Sequence, residues 1–101
     1  MESIKINKNL VDWEWFSEPG MVSVWIHILL EATTSDYDNM GLSVRRGQLM
    51  INSEMFAAHC GVSNKVLRDC IGRLVKCGFI RKESTRNYTL LTVNNYESFI
   101  L

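Results

Sequence analysis

The segment that decides the fold runs from Asn52 to Val93 and reads NSEMFAAHCGVSNKVLRDCIGRLVKCGFIRKESTRNYTLLTV. Asn52 or Ser53 is placed to cap a short helix, and Gly61 to end it, because glycine readily adopts the left-handed conformation found at helix C-termini. Ser63 caps a second helix and Gly78 ends it. The pattern therefore predicts two helices joined by a tight turn.

The second helix has two contrasting sides. Its apolar residues recur at spacings of three and four and predict a stripe that faces a core; they are Leu67, Cys70, Ile71 and Leu74. The opposite side is mostly basic and comprises Lys65, Arg68, Asp69, Gly72 and Lys76, with Arg73 at its flank. A helix with such a face, presented by a preceding short helix, is typical of one that enters the major groove of DNA.

A basic hairpin is predicted to follow. Residues 79–83 and 88–93 are rich in β-branched and aromatic side chains and flank the polar turn 84–87. Arg81, Lys82 and Arg86 lie towards the tip of this hairpin, and Gly47 to Ile51 predicts a third strand. The prediction is an α+β fold, a winged helix-turn-helix with a small antiparallel wing sheet and extra N-terminal helices. The helix-turn-helix covers about residues 52–77 and the wing about residues 79–93.

Charge is distributed unevenly along the chain. The 11 basic and 11 acidic side chains cancel, which taken alone argues against a nucleic-acid partner. However, residues 1–42 contain seven acidic and two basic side chains, whereas residues 63–88 contain seven basic and two acidic ones. The second helix and the hairpin therefore form a basic pole, and a phosphate backbone responds to that local field.

The N-terminal region, about residues 1–34, is strongly apolar. Residues 4–6 predict a short strand or an extended arm, and residues 10–15, with two tryptophans, predict a short helix capped by Asn7 or Asn9. Met21 to Thr33 predicts a helix that is apolar on more than one face and must be buried on two sides. Either residues 1–16 cover the second side, or a second chain does and the protein is a homodimer through its N-terminal apolar helices.

The remaining segments connect these elements. Thr34 to Gly41 is expected to be a polar, acidic loop, and Leu42 to Val44 a short strand. Residues 94–101 are expected to leave the sheet, with Tyr96, Phe99 and Ile100 as anchors.

Composition restricts the class of protein. With 101 residues, 47% of them apolar, the chain forms a single domain, residues 1–101. No apolar run approaches the roughly 20 residues that span a bilayer, and no secretory leader is visible, so we expect a cytoplasmic protein without a membrane partner. Cys60, Cys70 and Cys77 lack the spacing of a zinc site and are expected to act as small buried hydrophobes. No catalytic constellation is visible, so neither an enzyme nor a cofactor or metal is expected.

Motifs along most of the chain resemble the N-terminal winged-helix domain of DnaD-like primosomal proteins and phage replisome organisers. The resemblance lies in residues 4–6 (IKI), 10–16 (LVDWEWF), Pro19, 27–30 (HILL), Ala32, 46–49 (RGQL), 61–63 (GVS), Leu74, Gly78, Ile80 and 88–96 (YTLLTVNNY). The tryptophan segment and the RGQL tetrapeptide are its most specific parts. It implies a DNA-associated module of replication initiation or helicase loading that often self-associates and contacts other replication proteins.

The candidate DNA contacts are Asn64, Lys65, Arg68, Asp69, Gly72, Arg73, Lys76, Arg81, Lys82, Arg86 and Arg46. Lys65 and Arg68 are expected to reach base edges or phosphates, while the hairpin cations suit phosphate contacts. The DNA is either duplex or single-stranded. Asp69 is positioned to pair with Lys65 and Arg73 and partly neutralise the face. Gly72 either permits a close approach of a partner or is tolerated on an exposed face, and Arg46 either touches phosphate or is structural.

Two other functions stay open. A transcriptional regulator would use the same surface but prefer one site strongly. A winged-helix protein-interaction module without DNA binding would have its basic side chains engaged by acidic residues of its own chain or of a partner.

Overall fold

The computed structural model describes residues 2–86 and 88–101, which form a small α+β domain. Its elements in chain order are a first 3-10 helix (Lys8–Asp12), α1 (Pro19–Glu31), β1 (Tyr37–Asn39), β2 (Leu42–Val44), β3 (Gln48–Ile51), α2 (Ser53–Cys60), α3 (Asn64–Lys76), β4 (Ile80–Ser84), β5 (Thr89–Val93) and a second 3-10 helix (Tyr96–Phe99). No helix among these described residues is long and apolar enough to cross a membrane.

The predicted caps of α2 and α3 are confirmed. The Asn52 side chain accepts a hydrogen bond from the Met55 amide at 3.1 Å, and the Ser63 hydroxyl accepts one from the Val66 amide at 3.1 Å. Gly61 ends α2 with φ of 75°. These caps satisfy helix-end groups that would otherwise lack partners, so both helix boundaries follow from local chemistry.

The predicted three-stranded sheet is also confirmed. Its strand order is β3-β5-β4, all antiparallel, and β4 pairs with β5 in a register that places Ile80 opposite Val93 and Lys82 opposite Leu91. β4 is thus an edge strand next to the α3 side of the domain. The predicted turn between β4 and β5 includes Asn87, which lies outside the described residues.

The core lies between α1, α3 and one face of this sheet. Buried side chains of α1 are Met21, Val24, Trp25, Ile28 and Leu29, and those of α3 are Leu67, Cys70, Ile71 and Leu74. Ile80, Leu91 and Val93 close the core from the sheet. The apolar stripe predicted for α3 is therefore confirmed, and its burial fixes which side of α3 faces outward.

The N-terminal segment packs against this core within the same chain. Trp13 stacks on Phe79 with ring centroids 5.5 Å apart, and Phe79 also contacts Trp25 of α1 at 5.2 Å. α1 begins at Pro19, two residues earlier than predicted, because proline needs no backbone donor in the first turn. The N-terminal segment thus meets α1 beside Phe79, while Leu30 of α1 stays 62% exposed.

One local prediction is confirmed in part and one was wrong. The short helix predicted through residues 10–15 has its expected cap, Asn7, but it is a 3-10 helix that covers Lys8–Asp12. Residues 34–41 are not a plain loop, since they contain β1, which pairs with β2. Met40 and Gly41 both have positive φ, 52° and 81°, which is the geometry of a tight two-residue hairpin turn. Methionine rarely adopts this conformation, so Met40 did not indicate a hairpin turn.

The two ends of the chain meet, which the sequence did not indicate, and the contact joins the predicted N-terminal arm to the predicted C-terminal anchors. Ile4 forms a β-bridge with Ile100, the Lys5 amide donates to the Phe99 carbonyl at 2.8 Å, and Tyr96 is buried. The backbone amide of Gly47 donates to Thr33, and that glycine lies directly against the Tyr96 ring. The ends are therefore held by the segment that precedes β3.

We predict that Gly47→Ala destabilises the protein more than Gly41→Ala. Both glycines have positive φ, 86° and 81°, so each substitution costs about 1–2 kcal/mol of backbone strain. A Cβ at Gly47 would also lie 2.9 Å from the Tyr96 Cβ, whereas one at Gly41 meets nothing within 4 Å. Urea denaturation of both variants measures the difference, and equal losses of unfolding free energy would contradict it.

Candidate nucleic-acid interface

The outward side of α3 carries the predicted basic face. Lys65, Arg68, Asp69, Gly72 and Lys76 are all exposed, whereas Leu67 and Leu74 on the opposite side are at most 1% exposed. Because the buried stripe prevents rotation of the helix about its axis, the five exposed residues project together into solvent. They span nearly the whole length of α3.

A groove of about 340 Å³ separates the start of α3 from the β4–β5 hairpin, and its lining consists of Ser53, Glu54, Asn64, Leu67, Arg68, Ile71, Lys82 and Thr89. Lys82 is two residues from Ile80 along β4, so both side chains lie on the sheet face that packs on the helices. Arg81, between them, points to the other face. The fold thus brings Arg68 and Lys82 to one groove and directs Arg81 away from it.

Most of the predicted cations have no acidic partner. Between the residues that the structure describes, ion pairs within 4.0 Å involve only Arg45 and Arg46. The pairs predicted for Asp69 with Lys65 and Arg73 therefore do not form, because an exposed pair gains too little energy to hold two long side chains in one geometry. Within the described chain, the basic pole forms no ion pair with the acidic N-terminal region.

Arg73 differs from its neighbours on α3. Its guanidinium lies over the Trp15 ring, 4.5 Å from the centroid, a distance at which the ring face attracts a cation. Arg73 is half-buried in this position. It links the N-terminal segment to α3 and is not presented with Lys65 and Arg68.

Lys76 and Arg86 lie at the two extremities of the surface. Lys76 occupies the last turn of α3, where a cation also interacts favourably with the helix dipole. Arg86 is exposed in the connection between β4 and β5. Both positions suit contacts with phosphate groups on either side of α3.

Arg46 forms hydrogen bonds with residues of its own chain. Its Nε donates to a Glu97 carboxylate oxygen at 2.6 Å, its Nη1 donates to the Thr34 carbonyl at 2.7 Å, and both terminal nitrogens donate to Glu2. The guanidinium also lies 5.4 Å from the centre of the Tyr96 ring. These contacts favour the structural role of Arg46, and the structure does not bring it to the groove.

The hydrogen bonds of Arg46 affect the ionisation of its partner. Those with Glu97 and Glu2 raise the pKa of Arg46, and the hydrogen bond from Arg46 lowers the pKa of the Glu97 carboxyl below its usual value. The charged forms of Arg46 and Glu97 are thereby favoured.

Neither steric crowding within the described chain nor backbone conformation requires a glycine at position 72. A Cβ at Gly72 would meet nothing within 4 Å, and its φ is not among the positive values that favour glycine. A glycine in the middle of a helix is less stable than alanine by about 1 kcal/mol. Crowding within the described chain therefore does not account for it.

The cysteines are free thiols, and two of them behave as predicted. Cys60 and Cys70 are buried, whereas Cys77 is exposed. Burial raises the pKa of Cys60 to about 11 and also raises the pKa of Cys70, so both stay protonated near neutral pH.

Sequence reasoning missed the residues that complete the groove, above all Glu54. Glu54 lies in the first turn of α2, where a carboxylate is favoured by the helix dipole. Its position near Arg68 and Lys82 depends on how α2, α3 and the hairpin pack, so no local pattern indicates it.

No protein-family model matches this chain, and searches of curated proteins and of solved structures found no significant similarity. Function is therefore inferred from the geometry and charge of the surface.

We predict that Glu97→Gln makes the protein's stability less sensitive to acid. The pKa of Glu97 is lowered in the folded state, so its contribution is complete above the ordinary glutamate pKa and is lost as the pH falls through the lower, folded value. Thermal unfolding between neutral and strongly acidic pH should show a smaller fall in Tm for the variant. Glu14→Gln, an exposed control, should follow the wild type, and parallel curves for all three proteins would contradict this role of Glu97.

Proposed function

We propose that this protein is a winged helix-turn-helix module that binds DNA, with α3 in the major groove and β4 and β5 forming the wing. Three residues, Gly61 to Ser63, join α2 to α3, which is the length of a helix-turn-helix connection. Strand β4 contacts α3, and the two share one groove, so the hairpin lies beside α3. These features support the proposal because they put a helix and a hairpin on one side of the domain.

The observation that carries the proposal is the set of unpaired cations on that side. Lys65, Arg68 and Lys82 are exposed and make no ion pair with any residue that the structure describes. Arg68 and Lys82 also line a single groove. Glu54 also lines this groove but forms no ion pair with either cation. Cations that are not held in ion pairs can neutralise phosphate and release its counterions.

We further propose a role in DNA replication initiation in the cytoplasm, the role that the likeness to DnaD-like primosomal proteins implies. A transcriptional regulator with the same surface differs in its sequence preference, which should reach about 10³-fold or more between one site and unrelated duplex. A preference well below this value supports the replication role.

We predict that Lys82→Ala weakens duplex binding more than Arg81→Ala. The two substitutions remove the same charge from adjacent exposed positions of β4, but only Lys82 faces the groove. Loss of one phosphate contact should reduce the slope of log K against log salt by about 0.9. Fluorescence anisotropy with a labelled mixed-sequence duplex, titrated at several salt concentrations, measures both effects.

The same titration distinguishes the alternatives. Binding by wild type that weakens with salt, together with the predicted difference between the two variants, supports contact through the groove. Absence of binding at low salt would exclude the DNA model for this chain. Equal effects of the two substitutions would show that the groove does not direct the contact.

A second function, self-association through the N-terminal region, is favoured by exposed apolar side chains in that segment. Ile6, Val11 and Phe16 are 47%, 61% and 40% exposed. Ile6 also lines an apolar pocket of about 300 Å³ together with Leu10, Trp13 and Phe99. We propose that this surface joins two copies of the chain, because apolar patches on soluble domains often mark interaction sites.

We predict that Val11→Glu shifts the protein from dimer to monomer in sedimentation velocity. Val11 is exposed, so the substitution introduces a charge into the contact without disturbing the core. Val75→Glu, on an exposed position of α3 with 40% exposure, is the control and should leave the sedimentation coefficient unchanged. A wild type that is monomeric at all concentrations would refute self-association.

A further inference from the structure

The basic face of α3 contains an acidic residue that a surface for phosphate alone would exclude. Asp69 is exposed in the first half of α3, next to Arg68 and one turn from Lys65. Its carboxylate has no ion pair within the described part of the chain. Arg73, one turn further along, is held over Trp15 instead. Asp69 therefore presents a free hydrogen-bond acceptor among cations.

Gly72 lies beside this acceptor. Gly72 follows Arg68 by four residues and Asp69 by three, so it is a neighbour of both on the surface of α3. Since Gly72 has no side chain and is not crowded by the protein, it leaves a shallow notch between the arginine and the carboxylate. The helix backbone can approach a partner more closely at this notch than elsewhere on the face.

The pairing of an arginine with a carboxylate matches the major-groove edge of a G·C base pair. Guanine presents two acceptors, O6 and N7, to which the forked donors of arginine bind, whereas cytosine presents the N4 amino group as a donor. Adenine and thymine offer a different pattern, and phosphate oxygens would be repelled by the carboxylate. The chemistry of these two side chains thus favours base edges over the phosphate backbone.

We infer that α3 prefers duplex DNA containing G·C pairs, with Asp69 accepting a hydrogen bond from cytosine N4 and Arg68 donating to guanine, at the notch left by Gly72. This inference rests on the proposed function and names the bases that the site contacts. It makes Asp69 a specificity residue, although its charge opposes DNA binding in general.

The test begins with selection of duplexes from a randomised library by the wild-type protein. The selected duplex and a copy with its G·C pairs replaced by A·T pairs are then compared by anisotropy at one salt concentration. Wild type should bind the selected duplex about 5–150 times more tightly, which corresponds to the roughly 1–3 kcal/mol of a good side-chain contact to a base.

Asp69→Ala separates base contact from simple repulsion, because it removes both the hydrogen-bond acceptor and the charge. We expect this variant to lose the discrimination and to bind the A·T copy more tightly than wild type does, because one negative charge is gone. Glu83→Gln is the control: it removes one negative charge from an exposed position of β4 and should keep the discrimination. If Asp69→Ala strengthens binding to both duplexes equally, the inference fails, since Asp69 then acts by repulsion alone.

Gly72→Ala tests the notch. Alanine is the better helix former, so the variant should have a higher Tm, yet it should bind the selected duplex several times more weakly. Unchanged affinity would overturn the close approach. A wild type that binds duplex without preference refutes the inference but not the proposed function, whereas failure to bind any duplex at low salt refutes both.

Discussion

Burial of the apolar stripe of α3 is the constraint on which the rest of the molecule depends. Leu67, Cys70, Ile71 and Leu74 pack into the core that α1 and the sheet share, and exposing any of the larger side chains would cost about 1.5–3 kcal/mol. Because this side of α3 is buried, the opposite, polar side must face solvent. The caps at Ser63 and Gly78 add the second condition, because they set where the helix starts and stops.

Two of the arginines that the sequence offered as candidate DNA contacts, Arg46 and Arg73, make contacts within the protein instead. Arg46 joins Glu2 near the start of the chain to Glu97 near its end, and Arg73 holds Trp15 against α3. Both contacts attach the N-terminal segment to the domain. They explain how the N-terminal segment, which is rich in tryptophan and acidic residues, stays attached to the domain while the basic side chains on α3 and β4 remain exposed to solvent.

The features predicted correctly from the sequence are those that local chemistry determines. Asn52 and Ser63 could be read as caps, and the three- and four-residue spacing on α3 defined its buried side before any contact was known. The β1–β2 hairpin was missed because Met40 adopts a conformation usually left to glycine or asparagine. The partners of Arg46 and Arg73, and the place of Glu54 in the groove, depend on residues distant in sequence, so no spacing rule could supply them.

Chemical-shift mapping of backbone amides during titration with duplex DNA tests the central claim most directly. If α3 and the hairpin form the interface, shifts should concentrate in Asn64 to Lys76 and in residues 81–86, while the amides around Arg46 and Glu97 stay unchanged. Shifts confined to the N-terminal segment, or no shifts at low salt, would contradict DNA binding by this surface.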